Sequence, residues 1–358
     1  MHRLLLSAVL LFPLVACAQG EGPPPASDVD EVRPLVVMNL AAHPDDEDGL
    51  TLTYYRHNQN AVAYSVIYTR GEGGQNEAGA ELYERLGAIR TEETERAARI
   101  LGTQVYFLNF YDFGYSKHAR EAFAEWSRPR VGFWDTDDPI VSAEAGREIV
   151  TERLVRLIRT LKPNVLFTNH DTSTAWPRAQ HGQHQAVGIS AYDAFALAAD
   201  PAYHPEQLEE DGVDLWQPQR LFLRRFSSDG THDVAVPVGD PCNDQGVPCA
   251  DLGVQAAAQH VSQGFDKFAP RFRRDTSYFR LYREAPNAPP LPAGTNDLAA
   301  GLAPNPHIGA IAASYLLDSG RRTPMLEVQT NPGVAVPGQA VTLRWTPPAT
   351  PSEGTVYV

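Results

Sequence analysis

The sequence predicts an α/β fold, with a Rossmann-like, mostly parallel sheet that carries helices on both faces. Four short apolar runs favour β-structure, and helical patterns alternate with them along the chain. The runs are apolar throughout, which is typical of parallel strands buried on both sides. Ligands of such sheets bind beyond the carboxyl ends of the strands.

Each element has its own signal in the sequence. A helix over 81–101 is indicated by Leu82, Leu86 and Ile89, and Gly102 is expected to end it. A second helix, with the same spacing of apolar residues, covers 143–161, and a third, rich in alanine, covers 181–199. The predicted strands are 35–42, 61–69, 104–110 and 164–169.

Polar and ionisable residues follow every one of these strands. Because carboxyl ends of parallel strands share one edge of the sheet, we expect these segments to converge. Aromatic side chains in the same loops could stack on a sugar ring or simply pack in the core. The polar segments are 43–48, 70–77, 111–114 and 169–171, and the aromatic residues are Tyr111, Phe113, Tyr115, Trp126, Phe133, Trp134 and Trp176.

Histidine and aspartate occur in a pattern that suits a metal ion. His43 and Asp46 lie on a predicted strand-to-helix turn, and His181 and His184 share one helix face. Such side chains suit a catalytic zinc site with three protein ligands. Taken alone, the acidic run 45–48 could simply favour a helix N-terminus, and isolated histidines are usually ordinary surface or core residues. Their joint position at strand ends favours a metal.

The segment Ala42-His43-Pro44-Asp45-Asp46-Glu47, followed by His181-x-x-His184, resembles the signature of the PIG-L, or LmbE-like, zinc-dependent N-deacetylase family. Residues 69–73, the helix with Arg90, Glu92 and Glu93, and residues 260–263 also look like family sequence. The likeness covers residues 34–285. One departure is visible, because this chain has Gly182-Gln183 where the family often has Pro-Asp.

The resemblance implies one bound Zn²⁺ ion, although other divalent metals could fill the same site. His43, Asp46 and His184 would be its ligands. Asp45 would be the general base that acts on zinc-activated water. His181 would stabilise the oxyanion as a cation, and could protonate the leaving amine.

The implied reaction removes an acetyl group from an N-acetylglucosamine-type conjugate or glycan. Arg70 and Asp112 fall where family members contact the sugar. A second function class stays open, namely a non-catalytic carbohydrate-binding surface lipoprotein on the same scaffold. A binding protein has no need of a base, so the presence of Asp45 favours catalysis.

Charge and missing motifs exclude several other classes. The chain has 44 acidic and 30 basic residues and a formal net charge of −14, so nucleic acid is not an expected partner. No Gly-x-Gly-x-x-Gly follows the first strand, which disfavours a nucleotide-binding protein. The chain also lacks the His-Glu-x-x-His of zinc peptidases and the Gly-x-Ser-x-Gly of serine hydrolases.

The N-terminus predicts export to a bacterial cell envelope. An apolar run over 4–16 follows Arg3 and is too short for a permanent transmembrane helix. Leu14-Val15-Ala16-Cys17 resembles a bacterial lipobox, which implies a signal peptide over 1–16 and a membrane anchor on Cys17 at the periplasmic or outer surface. Ordinary cleavage near Ala18 is the alternative. Residues 17–33 are expected to form a flexible tether.

Three further predictions concern the rest of the chain. Cys242 and Cys249 are expected to form a disulfide in the oxidising envelope, with metal thiolates as the alternative. Residues 286–322 are rich in proline and alanine, so they are expected to be a linker or a chain that wraps the surface. Residues 323–358 predict short strands and resemble the opening of an immunoglobulin-like domain.

Overall fold

The computed structural model describes residues 35–128, 140–173, 180–210, 212–226, 230–242 and 246–308. The predicted signal peptide, the lipobox cysteine, the tether and the C-terminal strands of 323–358 lie outside these residues. They therefore stay predictions. No helix in the described part of the chain is long and apolar enough to cross a membrane.

Seven strands form one sheet with the order β3-β2-β1-β4-β5-β7-β6. Strands β1 to β5 pair in parallel, whereas β7 runs antiparallel to both β5 and β6. Along the chain the elements are β1 (Val36–Ala41), α1 (Gly49–Asn58), β2 (Val62–Thr69), α2 (Glu84–Leu101), β3 (Gln104–Phe110), α3 (Ala119–Glu125), α4 (Ala143–Leu161), β4 (Val165–Thr168), α5 (Gly182–Leu197), β5 (Arg220–Arg225), β6 (Val234–Val236), α6 (Cys249–Ala257), α7 (Phe265–Phe268) and β7 (Ser277–Glu284).

The chain order places a topological switch point beside β1. From β1 the chain moves outward through β2 to β3, then returns to the other side of β1 as β4. The connections that leave β1 and β4 therefore diverge and leave a crevice at their carboxyl ends. The turn that begins with His43 and the segment that begins with Asn169 both lie at this crevice.

Both faces of the sheet are buried, as the continuous apolar runs predict. Val36, Met38 and Leu40 of β1 pack on one face against α3, α4 and α5. Leu35 and Val37 point to the opposite face and pack against α1, α2 and α6. The four predicted strands and three predicted helices are present within a few residues, and Gly102 ends α2 with a φ of +70°.

The second half of the sheet carries no comparable signal in the sequence. Strand β5 starts at Arg220, a charged residue that is fully buried. Its guanidinium donates to the carbonyl groups of Pro289, Leu298 and Ala300 and pairs with Glu284. Burial of this arginine depends on partners far along the chain, so local patterning could not predict the strand.

Residues 286–308 pack on the domain. Leu298 and Ala299 are fully buried, and the Leu298 amide donates to the Tyr55 hydroxyl at 2.6 Å. The Asn305 side chain donates to the Lys162 carbonyl at 2.6 Å. The described part of this segment thus lies on the domain as far as residue 308, and residues 309–322 are outside the described residues. The folded unit thus extends past the boundary at 285 that the resemblance implied.

The structure joins Cys242 and Cys249 in a disulfide, with their Cα atoms 5.0 Å apart. Both residues are fully buried beside the start of α6. The bond closes a small loop between residues that are seven positions apart. Its main effect is to restrict the unfolded chain.

Replacing both cysteines with alanine is expected to lower the free energy of unfolding by roughly 2 kcal/mol, because the unfolded loop regains its conformational entropy. Urea unfolding followed by circular dichroism would measure the loss. The wild-type protein in reductant should lose the same amount, and the double variant should be insensitive to reductant. Equal stability of the variant and the oxidised wild type would contradict the bond's role.

Candidate metal and substrate site

The turn after β1 is folded by its own side chains. The His43 amide donates to Asp46 Oδ2 at 2.9 Å, and the Asp46 amide donates to the His43 carbonyl at 3.2 Å. Asp45, at the tip, has a φ of +101°, a region that residues with a side chain seldom adopt. This conformation costs on the order of 1–3 kcal/mol and persists only where its surroundings impose it.

Helix α5 brings its first turn to the same place. Three atoms form a nearly equilateral triangle: His43 Nδ1, Asp46 Oδ2 and His184 Nε2, with separations of 3.0, 3.2 and 3.3 Å. Ligand atoms of a tetrahedral zinc ion, bound at 2.0–2.1 Å, lie about 3.3 Å apart. Two imidazole nitrogens and one carboxylate oxygen are also zinc's ordinary donors. The residues present therefore fit a small divalent cation.

The ionisation of these residues follows from burial and mutual contact. Burial alone would lower the pKa of His43, but Asp112 and Asp46 outweigh it and raise this pKa to about 9. Burial works against the charge of Asp46, yet His184 holds the pKa of this carboxyl well below its usual range. Burial and the adjacent Asp46 raise the pKa of Asp45 to about 8. The pKa values of the neighbouring Asp45 and Asp46 carboxyls are thus shifted in opposite directions.

His181, the cap residue of α5, lies beside the triangle. Its ring centre is 3.7 Å from that of His184 and 5.1 Å from that of His43. Its Nδ1 atom is buried and has no hydrogen-bond partner among the described residues. Burial, His184 and His43 lower the pKa of His181 to about 3. The imidazole is therefore neutral here, which does not support the cation that the resemblance implied.

His170 is a further histidine at the cluster, and the sequence placed it only on the rim. Its Nε2 atom accepts a hydrogen bond from the Ala42 amide at 3.1 Å, and its Nδ1 atom lies 3.3 Å from Gln180 Oε1. Burial and His184 lower the pKa of His170 to about 3. The ring is thus neutral, and its Nε2 atom, which supports the turn, also lies 3.6 Å from Asp46 Oδ2. Asp46, His170 and His184 therefore form a second set of side chains close enough together to hold a metal ion.

The Gly182-Gln183 departure has a local structural reason. The Gly182 amide donates to the Ser116 carbonyl at 2.8 Å, which a proline could not do. A Cβ atom at this position would lie 2.2 Å from Ser116 Oγ. Gln183 then links two parts of the site: its Oε1 is 3.0 Å from His43 Nε2, and its Nε2 donates to Asp112 Oδ1 at 2.9 Å.

Residues 260–263 brace the turn from the other side. His260 Nε2 lies 2.7 Å from Glu47 Oε1, and the Gln263 side chain donates through Nε2 to the Pro44 carbonyl. Although burial opposes both charges, the contact lowers the pKa of Glu47 and raises that of His260, which makes them an ion pair. Residues 260–263, which resembled family sequence but had no predicted role, therefore hold the turn in place.

A polar cavity of about 270 Å³ opens beside the triangle. Asp112, predicted to contact substrate, lies in its wall, and the ring of Tyr115 is largely exposed there. Trp126 is instead buried in the core, and Phe133, Trp134 and Trp176 lie outside the described residues. The lining includes Asp45, Gln75, Arg90, Asp112, Tyr115 and His181.

Arg70 is not among the described residues that line this cavity. Its guanidinium donates to Thr91 Oγ1 at 2.8 Å and Asn109 Oδ1 at 2.9 Å, and stacks over Phe107. This placement does not support the predicted sugar contact, because the side chain points along β3.

Arg90 lines the cavity instead, and its position in the sequence indicated no role at the site. A Cβ atom on Gly71 or Gly74 would lie 2.5 or 2.6 Å from Arg90 Nη1. The available signal was the glycine-rich loop, which makes room for this arginine.

The fold and this site define an α/β domain with a candidate metal centre at the carboxyl ends of its parallel strands. Residues 38–195 match the family model described as PIG-L, GlcNAc-PI de-N-acetylase. This match confirms, over the residues that the family model covers, the resemblance drawn from the sequence.

Several known proteins are similar to the chain. A 1D-myo-inositol 2-acetamido-2-deoxy-alpha-D-glucopyranoside deacetylase 1 of Frankia casuarinae is 30% identical over 222 residues, which are 58% of this chain and 62% of the relative. A 1D-myo-inositol 2-acetamido-2-deoxy-alpha-D-glucopyranoside deacetylase 2 of Saccharopolyspora erythraea is 32% identical over 178 residues. These residues are 47% of this chain and 59% of the relative. The match thus spans about three fifths of these relatives.

Among solved structures, the N,N'-diacetylchitobiose deacetylase from Pyrococcus horikoshii, complexed with its inhibitor MPG, is similar at a TM-score of 0.49. It is 20% identical, and the likeness covers 69% of this chain and 83% of that one.

Replacing Gln183 with leucine is expected to lower zinc affinity about 10- to 100-fold, because His43 loses the partner that orients its ring. Competition with a chromophoric chelator would measure the affinity. Gln255→Leu, on the exposed side of α6, is the matched control and should bind zinc as the wild type does. Unchanged affinity of a folded Gln183→Leu protein would show that this bridge does not position the ligand.

Proposed function

We propose that the chain is a metal-dependent amidohydrolase that removes an acetyl group from an N-acetylglucosamine-type conjugate. The main support is the geometry of the site: one atom each of His43, Asp46 and His184 lies close enough to the other two to bind a single metal ion. Asp45 lines the cavity beside these three residues. The family match and the relatives named as deacetylases of a glucosamine conjugate support this proposal.

In this proposal His43, Asp46 and His184 hold one divalent ion, with Zn²⁺ as the expected metal. When bound, it supplies Lewis-acid polarisation of the amide carbonyl and acidifies water. Gln183 and the backbone of the turn keep His43 and Asp46 oriented toward it. Asp46 stays ionised beside His184, as a ligand requires.

Asp45 acts as the general base. Its carboxyl is not one of the three atoms of the triangle, and it lines the polar cavity beside them. The raised pKa of Asp45 lies close to neutral pH. The Asp45 carboxylate is therefore a stronger base than the carboxylate of an aspartate with the usual pKa. The proton that Asp45 takes from the attacking water passes to the leaving amine.

Neutral His181 donates a hydrogen bond to the oxygen that develops negative charge. Its ring faces the polar cavity, and a neutral imidazole has one N–H to offer. Such a donor, fixed before the reaction, stabilises the developing oxyanion without reorganisation. This role replaces the imidazolium expected from the resemblance.

The polar cavity would hold the sugar. Arg90, Asp112 and Gln75 present donors and acceptors that suit hydroxyl groups, and Tyr115 offers an exposed aromatic face. Arg90 and Asp112 are held by other contacts, since Arg90 donates to the Gln75 carbonyl and Asp112 accepts from Gln183. A preformed polar wall of this kind favours a hydrophilic ring over an apolar one.

Export and anchoring form a separate part of the proposal. The apolar run 4–16 and Leu14-Val15-Ala16-Cys17 support an envelope lipoprotein anchored through Cys17. Cys17→Ala is expected to move the protein from the membrane fraction to the soluble envelope fraction. Retention of the variant in the membrane fraction would contradict the anchor and leave the enzymatic proposal unaffected.

The zinc-loaded protein is expected to release acetate from N-acetylglucosamine conjugates. Dipicolinate should abolish the release by removing the metal, and added Zn²⁺ should restore it. An enzymatic acetate assay measures both. Saccharide binding without acetate release would instead favour the carbohydrate-binding lipoprotein.

Asp45→Ala should keep its zinc but lose activity by about 10²- to 10⁴-fold, because the general base is gone. His184→Ala should lose both zinc and activity, because one ligand is missing. Zinc content by mass spectrometry and acetate release report the two properties separately. Asp266→Ala removes an exposed carboxylate and should change neither. Wild-type turnover by Asp45→Ala would refute its assigned role.

A further inference from the structure

A second cavity, of about 260 Å³, lies against the same loop as the polar cavity. Asp45, Asp46 and His184 line both cavities, so these residues form the partition between them. The second cavity extends toward α1 and α6 and toward the segment between β5 and β7. Its apolar lining residues, such as Leu50, Leu101 and Phe272, have no part in the candidate metal site.

Away from the partition, much of the wall of this second cavity is apolar, whereas polar residues line its side next to the turn. Leu50, Leu101 and Ala256 are buried and form its inner surface. Phe226 and Phe272 are exposed large aromatic residues in the same wall, so the cavity opens to solvent on their side. Phe265 stacks on Phe272 with ring centres 5.4 Å apart.

The two arginines of this wall add little free charge. Arg224 pairs with buried Asp48 at 2.8 Å and lies 5.5 Å from the ring centre of Phe226. Arg274 lies 6.0 Å from the same ring and donates to the Phe272 carbonyl. Arg224 is thus engaged by an acidic and an aromatic neighbour, and Arg274 by an aromatic ring and a backbone carbonyl.

The volume of the second cavity and its position beside the metal site indicate which part of a substrate it would hold. A cavity of about 150 Å³ accommodates benzene, so 260 Å³ is far more than the methyl of an acetyl group fills. An amide placed at the partition has two substituents, one on nitrogen and one on carbon. With the amino sugar in the polar cavity, the acyl chain points into the apolar one.

We propose that the apolar cavity binds the acyl group of the substrate and that the preferred acyl group is a linear chain longer than acetyl. This inference rests on the proposed function and refines its substrate class. The hydrolysis itself is unchanged: a water oxygen bonds to the carbonyl carbon, the C–N bond breaks, and the amine nitrogen takes a proton. The products are an amino sugar and a carboxylate with an apolar chain.

A series of N-acetyl, N-butanoyl, N-hexanoyl and N-octanoyl glucosamine conjugates tests the chain length. Each methylene that enters the cavity is expected to raise kcat/KM roughly threefold, until the cavity is full. Ala257→Leu narrows the wall and should lower the ratio of hexanoyl to acetyl turnover at least tenfold. Gln255→Leu adds the same side chain on the exposed side of α6 and should leave this ratio at its wild-type value.

The outcomes separate the two proposals. If the acetyl conjugate is hydrolysed but the longer amides are not preferred, the acyl cavity is overturned and the proposed deacetylation stands. If no amide is hydrolysed, the proposed function fails. Octanoate binding by calorimetry gives a second readout that needs no turnover: it should occur in the zinc-loaded wild type and weaken in Ala257→Leu, and equal affinity for both proteins would overturn the cavity assignment.

Discussion

The Asp46 carboxylate is the contact on which the site depends. One of its oxygens accepts the His43 amide and lies within 3.2 Å of both His43 Nδ1 and His184 Nε2. It therefore ties the turn after β1 to the first turn of α5, two segments more than 130 residues apart along the chain. Burial of an ionised carboxylate is costly unless it is paired. The pairing therefore requires both segments to meet in one geometry, and the switch point beside β1 provides the place.

Sequence patterns predicted the four strands that alternate with helices whose apolar residues recur at regular intervals. Strands β1 to β4 and helices α2, α4 and α5 were visible because their burial repeats locally. Strand β5 was not, because buried Arg220 is satisfied by carbonyl groups more than 60 residues away. A helix was expected after the turn that contains His43, but its bounds were not predicted, since α1 is buried over Gly49–Tyr55 and shows no one-sided apolar face.

In the site, too, local patterns could be predicted from the sequence, whereas contacts between distant residues could not. The spacing of His43, Asp46, His181 and His184 could be read from the sequence, because strand ends of a parallel sheet meet. The direction of each side chain could not. Arg70 follows β2 and turns to Asn109, whereas Arg90 reaches the cavity from α2 through space left by glycines. The neutrality of His181 and His170 depends on burial and on their closeness to His184, which no local pattern reports.

The conformation of Asp45 has a meaning beyond its chemistry. Glycine adopts a φ of +101° at little cost, whereas aspartate does not. A chain under pressure for stability alone would gain by exchanging this residue for glycine. The turn therefore keeps an energetically disfavoured residue at its tip, and a benefit from the carboxyl, such as the proposed general-base role, would offset this cost.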